Sequence, residues 1–225
     1  MDIKTSDIFQ IVGGDKVTRR GFVMLPNIVL RDQMLGDGPK LGFAAMISIA
    51  QNKTEYVKHQ DDLAERCGVS VSTFRKWVKE LEGAKFIETV KRGRGRPSLT
   101  KLNAQVKAEK GKTTKTAFRA NNEISMEGAD KYTKYGYTLV PLFILAHKKL
   151  NTGEKITYVL LLSYCWGEKN TCQVTQTTLA NQLGCHRQSA NRYLQELHKK
   201  EMIEIKNIGK MMPSIYTVKF KAKGE

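Results

Sequence analysis

The sequence predicts an α+β protein, mainly helical with small β-hairpins, built as two tandem copies of one domain. Three observations carry that expectation. The 225-residue chain repeats itself at a nearly fixed offset. Each copy begins with apolar stretches of helical length, and each ends on two short β-prone runs around a turn. A composition of 40% hydrophobic and 27% charged residues, with a mean hydropathy of -0.42, suits globular domains with real cores.

The repeat can be read residue by residue. At an offset of 115, Gly21, Pro26, Leu30, Gly38, Lys40 and Ser48 meet Gly136, Pro141, Leu145, Gly153, Lys155 and Ser163. One inserted residue moves the offset to 116. Gln60, Leu63, Ala64, Gly68, Glu80, Leu81, Ile87 and Glu88 then meet Gln176, Leu179, Ala180, Gly184, Glu196, Leu197, Ile203 and Glu204. The expected division is an N-terminal segment 1–20, a first domain 21–102, a basic linker 103–135, a second domain 136–220 and a tail 221–225.

Each element has its reason. After Pro26, residues 26–34 suit a short helix. KLGFAAMISIAQ (40–51) and its counterpart KITYVLLLSYCW (155–166) are apolar on most sides, as buried helices are. Residues 59–67 and 175–183 form short amphipathic helices, the second with Thr175 as a natural N-cap. Gly68 and Gly184 break the chain before longer helices at 70–83 and 186–199, where Ser70 can cap the first. Strands follow at 86–90 and 202–206, with return strands near 99–102 and 215–220. The linker has no apolar period and reads as extended or partly disordered, with some contact to the second copy.

Residues 60–81 have the shape of a helix-turn-helix. Leu63 and Ala64 face the core, and Phe74, Trp77, Val78 and Leu81 form one buried stripe. That leaves Ser72, Thr73, Arg75, Lys76 and Lys79 outside. In the second copy Ala190, Tyr193, Leu194 and Leu197 take the stripe. Arg187, Gln188, Ser189, Asn191, Arg192 and Gln195 take the outer face. A helix fits the major groove, where Arg and Lys donate to guanine and Asn or Gln pair bidentately with adenine. Hydroxyls and further cations serve phosphates. A solvated face explains such residues in isolation. On a repeated helix-turn-helix within a chain of net charge +16 and pI near 9.7, contact with double-stranded DNA is the stronger reading.

The pattern L-A-x3-G, a capped helix ending in Glu-Leu and a basic hairpin resembles the winged helix-turn-helix superfamily. The whole chain looks like a tandem winged-helix protein, similar to phage and plasmid helix-turn-helix regulators and to tandem winged-helix replication initiators. The resemblance implies recognition helices at 70–83, including Ser70, and at 186–199. It implies wings at 91–98, with Lys91, Arg92, Arg94 and Arg96, and at 207–213, with Lys210. Arginines alternating with glycines suit a narrow minor groove or a phosphate track. The second wing, with Ile208, Met211 and Met212, is equally suited to packing on a neighbour.

Other classes find less support. Cys165, Cys172 and Cys185-His186 lack zinc spacing, and Cys67 suits a small core position, so neither metal nor cofactor is expected. The sequence has no phosphate-binding loop or paired carboxylates, and Tyr193 lies on the packing stripe, so no catalysis is expected. No apolar run is long enough to span a bilayer, and MDIKTSDIFQ lacks the character of a secretory signal. A soluble cytoplasmic, nucleoid-associated protein is expected, with no membrane partner. The function expected is sequence-specific DNA binding as a transcriptional regulator. Replication initiation and a winged-helix interaction scaffold, partnering a second copy or another protein, are the alternatives.

Overall fold

The computed structural model describes residues 22–50, 55–93, 96–103, 105–107, 117–119, 123–124, 137–165, 170–209 and 212–219. Its first half runs β1 (Phe22–Pro26), α1 (Asn27–Leu30), α2 (Asp37–Ala50), β2 (Glu55–Val57), α3 (Gln60–Cys67), α4 (Val71–Gly83), β3 (Ile87–Val90) and β4 (Leu99–Leu102). Three short strands follow: β5 (Gln105–Lys107), β6 (Ala117–Arg119) and β7 (Glu123–Ile124). The second half runs β8 (Tyr137–Pro141), α5 (Leu142–Ala146), α6 (Thr152–Tyr164), β9 (Thr171–Gln173), α7 (Gln176–Leu183), α8 (Arg187–Lys199), β10 (Ile203–Lys206) and β11 (Ile215–Val218). The α+β class is borne out.

Local chemistry sets the helix ends. Ser70 and Thr175 accept hydrogen bonds from the Thr73 and Thr178 backbone N–H groups, at 3.2 and 3.0 Å, which caps α4 and α7 respectively. Helices α3 and α7 end on Gly68 and Gly184, whose left-handed φ of 69° and 62° only glycine adopts without strain. Asn151 and Glu154 close a reciprocal capping box on α6. At the far end of α4 and of α8, the chain turns through a non-glycine left-handed residue, Lys85 (φ 60°) or Glu201 (φ 58°). The Phe86 and Met202 amides then bond back to the Leu81 and Leu197 carbonyls.

The two halves share one core. Helix α2 carries Phe43, Ala44 and Met46 into it, while α6 carries Ile156, Tyr158, Val159 and Leu160. Against them pack Leu63, Ala64, Phe74 and Leu81 from the first helix pair, and Leu179, Ala190, Leu194 and Leu197 from the second. The glycines at the start of α2 and α6 seat an aromatic ring each. A Cβ on Gly38 would overlap the Trp77 ring, and one on Gly153 would overlap that of Tyr193.

Strands β1 and β8, absent from the sequence expectation, pair antiparallel. The register sets Met24 opposite Leu139, Phe22 opposite Pro141 and Pro26 opposite Tyr137. The pairing is therefore symmetric under the 115-residue offset, a local two-fold that passes between Met24 and Leu139, the equated pair that face each other, and exchanges the pairs on either side. Further ties cross the same boundary. Buried Thr138 donates its hydroxyl to Asn27 Oδ1 at 2.7 Å, and Arg31 lies over the Tyr164 ring at 5.7 Å. Lys155 Nζ donates to the Leu145 carbonyl at 2.7 Å and the Cys67 carbonyl at 3.0 Å. Burial holds the Lys155 ammonium below its ordinary pKa.

The expected hairpins are present, each widened by a third strand. β3 and β4 pair antiparallel, with β2 on the far side of β4, and β10 and β11 do likewise with β9. Within the linker, β5, β6 and β7 form a three-stranded antiparallel sheet, an ordered pairing that the expectation of extended or partly disordered chain did not include. β5 lies near β1.

Candidate nucleic-acid interface

Helix α4 is two-faced because its apolar residues recur at helical spacing. Phe74, Trp77, Val78 and Leu81 are buried, while Ser70, Ser72, Arg75, Lys76 and Lys79 are exposed. Thr73, expected outside, is half-buried because its hydroxyl meets Ser70 Oγ at 2.8 Å in the capping cluster. Ser70 Oγ also meets Ser72 Oγ at 2.9 Å. These three hydroxyls hold the start of α4 in shape, beside backbone N–H groups that suit an anion.

Helix α8 is divided the same way. Ala190, Leu194 and Leu197 are buried and Tyr193 is half-buried over Gly153. Arg187, Gln188, Arg192 and Gln195 are exposed, whereas Ser189 and Asn191 are half-buried. Asn191 is drawn inward by Gln176, the first residue of α7. Gln176 Nε2 donates to Asn191 Oδ1 at 3.0 Å, and Gln176 Oε1 accepts from Arg187 Nε at 3.3 Å. Arg192 lies 5.6 Å from the Tyr193 ring centroid, which steadies its guanidinium on the outer face.

The charges on these faces are uncommitted. Elsewhere lysines are matched to carboxylates: Lys58 with Asp62, Lys101 with Glu88, Lys200 with Glu154 and Lys219 with Glu204. Among the described residues no ion pair involves Arg75, Lys76, Lys79, Arg187 or Arg192. Cations without a carboxylate partner are those a phosphate or base edge can take without an ion pair to break.

In the first hairpin, Lys91, Arg92 and Arg96 are exposed on the connection between β3 and β4, with Gly93 at φ 103°. In the second, Ile208 and Met212 stand 40% and 61% exposed between β10 and β11. Arg94 and Lys210 lie outside the described residues. The structure thus exposes the predicted helix residues on the outer faces of α4 and α8 except Thr73, Ser189 and Asn191, which are half-buried, and sets the described hairpin residues on the turns that follow. Gln176 was missed. Its coincidence with Gln60 in the repeat marks the position, but not the partner, which sits 15 residues on.

The four cysteines are free, and Cys67 and Cys172 are buried. Among the described residues no three His, Cys, Asp or Glu side chains gather to hold a metal, and no helix is long and apolar enough to cross a membrane.

Helices α7 and α8 with the glycine turn between them have the geometry of a helix-turn-helix, and comparison with known families agrees over that part of the chain. The family described as Helix-turn-helix domain matches residues 148–203, which span α6, β9, α7 and α8 and reach the start of β10. No curated protein matches the chain. A helix-turn-helix domain with an uncommitted cationic face supports a DNA-binding protein.

Proposed function

We propose that the chain is a sequence-specific binder of duplex DNA, made of two winged helix-turn-helix copies and acting as a transcriptional regulator. Helices α4 and α8 are its recognition helices, and the hairpins act as wings on the flanking backbone. The observation that carries this reading is an exposed cationic face free of ion pairs on both helices, Arg75, Lys76 and Lys79 on one and Arg187 and Arg192, with the amide of Gln195, on the other. Exposed residues differ between the two helices, so the half-sites differ in sequence. The local two-fold of the β1–β8 ribbon supports inverted rather than direct placement of those half-sites, because equivalent positions run in opposite directions across it.

Selection from a random duplex library followed by footprinting tests this. One chain should protect two unlike, inverted half-sites about one helical turn apart. Affinity should fall with salt at a slope near -0.9 per phosphate contact. A symmetric palindrome bound by two chains, or affinity indifferent to salt, would refute the reading. An array of iterated sites beside an AT-rich stretch would assign the protein to replication initiation instead.

A further inference from the structure

We infer that Gln176 decides which hydrogen-bonding edge Asn191 turns toward DNA, so that a residue outside the recognition helix sets base choice in the second unit. The inference rests on the DNA-binding reading above. Its basis is the polarity of one short chain of bonds, from Arg187 Nε to Gln176 Oε1 at 3.3 Å and from Gln176 Nε2 to Asn191 Oδ1 at 3.0 Å. A guanidinium can only donate, so Gln176 must show Arg187 its carbonyl oxygen. The Gln176 NH2 is then left for Asn191, which must answer with Oδ1. Turning either amide over, or both together, sets two donors or two acceptors face to face.

The consequence alters the expected chemistry of Asn191. Bidentate pairing with adenine needs both ends of the amide turned toward the base, whereas Asn191 Oδ1 is turned toward α7. Here Oδ1 is engaged, and Nδ2 is the end left to reach outward. Asn191 therefore acts as a donor and favours base edges that accept in the major groove, such as thymine O4 or guanine O6 and N7, over cytosine, which shows a donor there. The first unit cannot build a relay of this polarity. The positions that correspond to Arg187 and Asn191 are Val71, which has no polar side-chain atom, and Arg75, which only donates.

Gln176→Glu reverses the relay without removing it. A carboxylate still accepts from Arg187, and in the first turn of α7 it suits the helix N-terminus, so the fold is retained. Asn191 must then donate Nδ2 to Glu and turn Oδ1 outward, toward cytosine N4 or adenine N6. Parallel selections with the full-length wild type, Q176E and Q176M from a random duplex library read the outcome. At one base pair of the second half-site, Q176E should shift the ratio of cytosine to thymine by about tenfold, with all other positions unchanged. Q176M, which releases Asn191, should accept both bases there, and Asn191→Ala should erase the preference at that pair. Overturning results are a Q176E profile identical to wild type, an equal loss on every sequence, or a preference that survives Asn191→Ala. A wild type that enriches no duplex would sink the DNA-binding reading itself, which is a separate and recognisable failure.

Discussion

Gly38→Ala probes how α4, the first of the two proposed recognition helices, is seated. A Cβ at this position would overlap Trp77 Cε2 and Nε1 and lie 2.6 Å from Cζ2, where ordinary contact begins near 3.4 Å. The ring or the helix must yield by roughly 1 Å. Little room is available. Trp77 is 8% exposed, the Phe74 ring packs against it tilted by 57° with centroids 5.8 Å apart, and Gly42 already approaches the ring one turn further on. Overpacking of this kind costs about 1–3 kcal/mol, and the better helix propensity of Ala offsets at most about 1 kcal/mol. A net loss of about 2 kcal/mol, or about 4–8 °C in Tm, is expected. Urea denaturation should show it, and a double-mutant cycle with Trp77→Leu assigns it: in the Leu background Gly38→Ala should be close to neutral, a coupling of about 2 kcal/mol. Equal effects of Gly38→Ala in both backgrounds would refute the steric reasoning.

Four further outcomes are expected. Lys155→Met leaves the Cys67 and Leu145 carbonyls without their donor but also removes a buried ammonium, for a net loss of about 2 kcal/mol by denaturant titration; no loss would mean that desolvation cancels both bonds. Lys85→Gly, at φ 60° on an exposed turn, should stabilise by about 1 kcal/mol, seen as a raised Tm. Burial pushes the Cys67 thiol from 9.0 to about 12, so the folded state keeps a proton that the unfolded state releases, and stability is lost as pH rises above 9; in Cys67→Ala that alkaline limb should be shallower by up to about 4 kcal/mol at pH 12 in melts run against pH. Arg75→Ala should relax preference at particular base pairs, whereas Lys199→Ala should weaken all duplexes alike and reduce the salt slope by about 1, both read by binding titrations.

What the sequence shows plainly is short-range chemistry. The caps at Ser70 and Thr175, the turns at Gly68 and Gly184 and the stripe Phe74, Trp77, Val78 and Leu81 each depend on neighbours within about two turns, and all stand where the periodicity puts them. Strands β2 and β9 escape notice because three residues carry too little alternation, and each pairs with a strand more than forty residues later. The β1–β8 ribbon is hidden for the same reason at greater range. FVMLP and YTLVP show the same alternating burial, yet nothing within either segment says that its partner is the other. In the candidate site, the spacing separated inner from outer faces but could not show Asn191 turning toward Gln176, because that contact joins two helices across the glycine turn. The β5–β7 sheet in the linker likewise had no apolar period to announce it.

Lys40 and Lys155 stand at corresponding places in the repeat, and both are buried, but their surroundings differ. Burial lowers the pKa of each. For Lys40 this is opposed by Asp37 and Asp32, carboxylates of the same half. Lys155 instead reaches the last carbonyl of α3, immediately before Gly68, as well as that of Leu145 at the end of its own α5. The negative ends of two helices, one from each half, thus converge on a single ammonium, where a cation is favoured. The tie has a direction, since the second half supplies a charge that the C-terminus of α3 in the first half receives. The bond ties α6 to the C-terminus of α3, one residue before the turn into α4. Two reading helices seated on separate cores would search for their half-sites independently. If α4 and α8 read DNA as proposed, then, joined through Lys155 and the β1–β8 ribbon, they would meet the duplex as one preformed surface, with the ordering cost of holding both in place met at folding rather than at binding.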